Sequence, residues 1–93
     1  SLEKEMTPQK IENMKIGDVF IMGGSPGHAV IVVDMAENEE GEKIFMLAQS
    51  YMPAQQTQIL INPENGGVWY SLKGKDVLVT PEWKFPIEKL RKF

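Results

Sequence analysis

No cysteine occurs among the 93 residues, which excludes disulfides, thiolate metal sites and a cysteine nucleophile supplied by this chain. Histidine is almost as scarce. His28 is the only one, so neither a metal nor any other cofactor is expected. Long apolar runs are missing too: the two longest, Ala29 to Val33 and Ile44 to Ala48, fall far short of the roughly 20 residues that a membrane-crossing helix needs. No membrane insertion is expected. A basic stripe is likewise absent. Ten Lys and Arg stand against 13 Asp and Glu, for a net charge of -3, and they are scattered except in Lys89-Leu90-Arg91-Lys92. Nucleic-acid binding needs a surface that neutralises phosphates, so that partner is not expected either. No leader with a charged, an apolar and a small-residue part opens the chain. Ser1-Leu2-Glu3 reads as the start of a trimmed piece, the C-terminal part of a longer protein.

What is present is ordinary for a folded domain. Hydrophobic residues make up 42% and charged residues 25%, which indicates a single soluble domain over residues 1–93 and neither disorder nor a fibrous repeat. Five segments read as strands. Val19 to Met22 is rich in apolar and aromatic residues and is stopped by Gly23-Gly24-Ser25-Pro26-Gly27. His28 to Met35 follows, with apolar residues on both faces, which suggests burial on both sides. A charged loop with Gly41 leads to the return strand Ile44 to Ser50, and the natural closure of this hairpin sets Met35 opposite Ile44. Thr57 to Asn62 and Asp76 to Thr80 complete the set. Short helices are expected at the ends: Thr7 to Met14, with Thr7 as N-cap and Pro8 at the first helical position, and Pro86 to Phe93, with apolar residues at spacings of three. The expected fold is α+β, mainly β, a small antiparallel five-stranded half-barrel.

His28 draws attention because imidazole titrates near neutral pH, and a histidine at a strand end beside an open corner suits a general base. It equally suits an ordinary strand start hydrogen-bonded to a loop carbonyl. In the hairpin register above, Gln49 lies opposite Val30 and diagonal to His28, within side-chain reach, where it can orient the imidazole or simply bind backbone. Ser25 lies three residues before His28 but lacks a nucleophile elbow, and a serine between Gly and Pro is first a turn residue. Tyr51, Trp69, Tyr70 and Trp83 can line a groove or fill the core. Asp18, after Gly17, reads as a turn residue accepting hydrogen bonds from backbone amides at the entry to its strand.

The segments MKIGDVFIMGGSPGHAVIVVDM, FMLAQSYMPAQQTQILINP and TPEWKF resemble an uncharacterised bacterial family whose members are longer, mostly exported proteins. The order GDVFI, a corner, then GHAVIVVD is also similar to the β portion of the NlpC and CHAP papain-like amidases and peptidases of bacterial cell walls. That resemblance implies His28 as the base and Gln49 as its orienter. It also implies a nucleophilic cysteine on a helix preceding this β portion, which this chain does not supply, so the chain alone is expected to be inactive. Exported or periplasmic localisation and a partner derived from peptidoglycan follow from the same likeness. The alternative is a non-catalytic module that binds a peptide or glycan through Tyr51, Gln55 and Trp69, or a domain that associates with itself into a homo-oligomer.

Overall fold

Strand alternation, and not a helical period, organises this chain. The computed structural model describes residues 6–23, 27–51 and 56–93, without the side chains of Ser50, Tyr51 and Gln56. The strands found there are β1 (Thr7–Pro8), β2 (Val19–Met22), β3 (His28–Glu37), β4 (Lys43–Tyr51), β5 (Gln56–Ile59), β6 (Val77–Val79), β7 (Lys84–Pro86) and β8 (Leu90–Lys92). Six of them form one antiparallel sheet in the order β1-β8-β2-β3-β4-β5, and β6 pairs with β7 in a second, two-stranded sheet. The mainly β, antiparallel character is as expected. The half-barrel is not: the sheets do not close into a barrel, because β1 and β5 stand at opposite edges of the larger one.

The β3–β4 hairpin forms where the sequence places it. Asn38 Oδ1 accepts the amide protons of Glu40 and Glu42 at 3.0 and 2.9 Å, and Gly41 takes a φ of 79° that an L side chain resists. Its register holds a surprise at Val33. Ile31 and Val32 face Ala48 and Leu47, but Asp34, Met35 and Ala36 face Met46, Phe45 and Ile44. Val33 is therefore an extra residue, a bulge that reverses which side chains point inward. Met35 sits opposite Phe45 and not opposite Ile44. The expected burial on both sides is not found: ahead of the bulge Val30 and Val32 are buried, whereas Ala29 and Ile31 are exposed, so β3 is covered on one side only.

Both expected helices are replaced by extended chain with one 3-10 turn each, Ile11–Asn13 and Ile87–Lys89. Thr7 and Pro8 pair with Lys92 and Arg91. This is a sheet edge, where the missing proline amide costs no ladder bond. The spacing of three between Ile11 and Met14 is satisfied by the single turn, closed by the Met14 amide on the Ile11 carbonyl at 3.1 Å. At the C-terminus, pairing of Leu90 with Phe20 removes Leu90 from solvent completely, which no isolated helical turn offers. Asp76 to Thr80 becomes β6, yet it is not the last strand.

Between the sheets lies one apolar cluster containing Phe20, Val30, Val32, Phe45, Leu47, Leu78 and Phe85, with Tyr70 and Leu72 from the intervening loop. Phe20 is its hub, with ring centroids 6.4 Å from Phe45 and 6.2 Å from Phe85. Tyr70 stacks on Phe45 and donates its hydroxyl to the Ile61 carbonyl at 2.9 Å. Burial pushes its phenol up to about 12, from 10.0. An unfolded tyrosine ionises two units earlier, so this stabilisation is intact below pH 10.0 and is lost as pH rises towards 12. Alkaline titration of unfolding should therefore show stability falling in that window, and Tyr70→Phe should flatten the fall. An equal fall in the variant would remove Tyr70 as its cause. Among the described residues, no helix is long and apolar enough to cross a membrane.

Candidate functional site

β2 and β3 remain paired to their ends, at Met22 and His28. β4 and β5 remain paired to Tyr51 and Gln56. Between them, the β3–β4 ladder stops at Ile31 and Ala48. The two hairpins thus part company over the last residues of the sheet. The opening is a cleft of about 370 Å³ lined by Val19, Gly27, His28, Ala29, Val30, Ile31 and Gln49. The Val32 amide and the Gly17 amide exchange bonds with Asp18 and Val32 on the β2 side, both at 2.8 Å. Strand alternation then turns the amide and carbonyl of Ala29 towards the cleft.

His28 and Gln49 both line this opening. Gln49 follows Leu47 by two residues on β4 and so shares its inward face with Val30 and His28. The sum of paired residue numbers near the cleft is the one the simple hairpin implied, because the bulge at Val33 absorbs the one-residue difference further along. Among the described residues, no hydrogen bond joins the two side chains. His28 is half-buried, and one face of its ring is covered by Trp83, with centroids 3.5 Å apart and planes inclined by 24°. Stacking fixes the ring plane and leaves the two nitrogens, which lie on the ring edge, for partners in the cleft.

Trp83 reaches His28 because the β6–β7 turn is tied tightly. Thr80 donates its amide and its hydroxyl to the Trp83 carbonyl at 2.9 and 2.7 Å, and its hydroxyl oxygen accepts the Trp83 amide proton at 3.2 Å. The segment TPEWKF is a clamp for this indole. Sequence reasoning counted Trp83 among four groove or core aromatics without singling it out. Its long-range partner has no signal in the local sequence.

Of the other residues singled out, Trp69 and Asp18 fall elsewhere. Trp69 adjoins Tyr70, whose backbone bridges Phe45, and Phe45 precedes Gln49 by four residues, or about 13 Å along a strand. The structure does not bring Trp69 to the cleft; its carbonyl instead accepts the side-chain amide of Asn62 at 3.1 Å. Tyr51 ends β4 opposite Gln56, while its side chain, together with Ser25 and Gln55, lies outside the described residues. Asp18 behaves as a turn residue: it is 1% exposed, and its Oδ2 accepts the Lys15 amide at 3.0 Å and Gln9 Nε2 at 3.3 Å. Among the described residues, no three His, Asp or Glu side chains form a group that could hold a metal.

The His28 strand, the Gln49 strand and the Trp83 turn come from three separate sequence segments, and all three lie within residues 1–92, the span matched by the family described as domain of unknown function (4846). The chain belongs to that family. No curated protein matches the chain, and no solved structure does. Membership leaves the chemistry open, so the reading of the cleft rests on the side chains within it.

Proposed function

We propose that the cleft between β3 and β4 recognises an amide of a peptide and forms the histidine-bearing part of an amidase or peptidase site, whose nucleophile lies outside this chain. The observation that carries this reading is the convergence of His28 and Gln49 on one opening, with Trp83 fixing the imidazole plane. A neutral imidazole offers one donor and one acceptor, and a glutamine side chain offers both as well. Together with the Ala29 backbone, they match the N–H and C=O of a substrate amide. Given a thiol from elsewhere, His28 would take its proton and Gln49 would hold the ring. Alone, the chain binds and does not turn over. The NlpC and CHAP likeness makes a peptide from peptidoglycan the expected occupant.

Titration of the isotopically labelled chain with soluble muropeptides tests this. The His28 ring, the Gln49 side-chain amide and the Trp83 indole resonances should shift together and saturate. His28→Ala should weaken binding by about tenfold, the scale of one lost buried hydrogen bond. Peptide-free glycan should leave the three signals unmoved. Shifts from glycan alone, unchanged affinity in the variant, or amide hydrolysis by the isolated chain would each contradict the reading.

A further inference from the structure

The opposite end of the β3–β4 hairpin carries a second opening. Met35 lies seven residues from His28 on β3, about 23 Å along the strand. Here a cavity of about 360 Å³ lies between the 3-10 turn Ile11–Asn13, the hairpin loop and the segment Leu72–Lys73. Its floor is apolar. Met14, Phe45 and Leu72 are buried members of the main cluster, with Ile11 and Met35 packed against it. Two methionines in such a floor let it adapt to the shape of an apolar group.

Its mouth is charged, and one charge is held in place. Glu42 Oε1 accepts the Asn38 side-chain amide at 2.8 Å, and Oε2 accepts the Ser71 hydroxyl. Those two hydrogen bonds, Ser71 first, and after them the charges of Lys73 and Lys75 hold the Glu42 carboxyl below its ordinary value of 4.5. The carboxylate is therefore ionised at neutral pH, and each oxygen keeps a lone pair for a further donor. Glu12 and Glu40 share the rim with Lys43 and Lys73. Lys43 Nζ is engaged on the Glu12 carbonyl oxygen at 2.8 Å. Three carboxylates on the rim, Glu12, Glu40 and Glu42, outnumber the two ammonium groups of Lys43 and Lys73, which leaves an excess of one negative charge around one oriented carboxylate.

We infer that this cavity is a binding site for a small amphiphilic cation, an apolar body carrying one ammonium group, with the body on Met14, Met35 and Phe45 and the ammonium on Glu42. The inference stands apart from the proposed amide site and does not depend on it. Charge complementarity selects the cation, and the apolar floor selects the body.

The probe is 2-phenylethylammonium, with 2-phenylethanol as its neutral counterpart, read on the methionine methyl resonances of the full chain. The Met14 and Met35 methyls should shift and saturate with the ammonium, while Met22, paired with His28 at the far end of the sheet, and Met46, on the opposite face of β4 from Phe45, stay in place. The alcohol should bind at least about tenfold more weakly. Glu42→Gln should bring the ammonium to the level of the alcohol. Should that variant displace the methyl signals before ligand is added, salt raised to about 0.5 M decides instead: selective weakening of the ammonium supports the site. Equal binding of the two compounds, shifts spread over all the methionines, indifference to salt, or no shift at all overturns it.

Discussion

Phe85→Ala lowers the unfolding free energy by about 4 kcal/mol and releases Trp83 from His28 before the large sheet unfolds. Phe85 is completely buried at the centre of β7, opposite Leu78, with its ring against Phe20. A pair of three-residue strands has almost no stability of its own. What holds β6 and β7 on the molecule is the apolar contact of Leu78 and Phe85 with the inner face of the six-stranded sheet. Removing the larger of these two side chains leaves a cavity at the junction of the sheets, and the turn that presents the indole loses its anchor. With Trp69→Phe as background, Trp83 is the only tryptophan. Its fluorescence should then report a transition at lower urea than far-ultraviolet circular dichroism does. Phe85→Leu, which keeps most of the volume, should cost less than about 1.5 kcal/mol. Coincident transitions in Phe85→Ala, or a loss below about 1 kcal/mol, would show that Phe85 does not pin the small sheet.

That coupling also marks the boundary of what local sequence reveals. β2, β3, β4 and their loop are legible because their signals are local: β-branched runs, an asparagine that caps its own loop, and a glycine at positive φ. The terminal segments misled because a three-residue apolar spacing is shared by a helix and by a single 3-10 turn between strands. What decides between them is pairing of residues at opposite ends of the chain, such as Thr7 with Lys92. Nothing within Thr7 to Met14 announces that partner. The bulge at Val33 is equally silent, since valine is as good a residue in a regular strand as in a bulged one. Gln49 and His28 line one opening because the pairing of Ile31 with Ala48 lies on the cleft side of that irregularity and keeps the register of a simple hairpin there. Trp83 is hidden for the opposite reason, since its meeting with His28 requires the second sheet, and nothing local announces the pairing of Lys84–Pro86 with Val77–Val79.

Asp18→Ala should cost about 2 kcal/mol and Asp18→Asn much less, a contrast that separates a structural acid from a chemical one. The carboxylate is 1% exposed and accepts the Lys15 amide and the Gln9 side-chain amide on the same oxygen, Oδ2. Alanine strands the Lys15 amide at a buried corner, with a penalty of about 1–3 kcal/mol for an unsatisfied donor. Asparagine still presents one carbonyl oxygen, which can take the place of Oδ2 and accept both bonds. The corner matters beyond its own bonds, because the Asp18 carbonyl accepts the Val32 amide and the Gly17 amide is donated to the Val32 carbonyl, each at 2.8 Å. Loosening it frees the start of β2 from β3 beside the bulge, and Val19 on β2 is a wall of the His28 cleft. Chemical denaturation of both variants, paired with the muropeptide titration, distinguishes the two roles. If Asp18 only shapes the corner, Asp18→Asn keeps both stability and affinity. If instead its charge acts on a ligand, Asp18→Asn will keep stability and lose affinity, and the assignment of Asp18 as a turn residue fails.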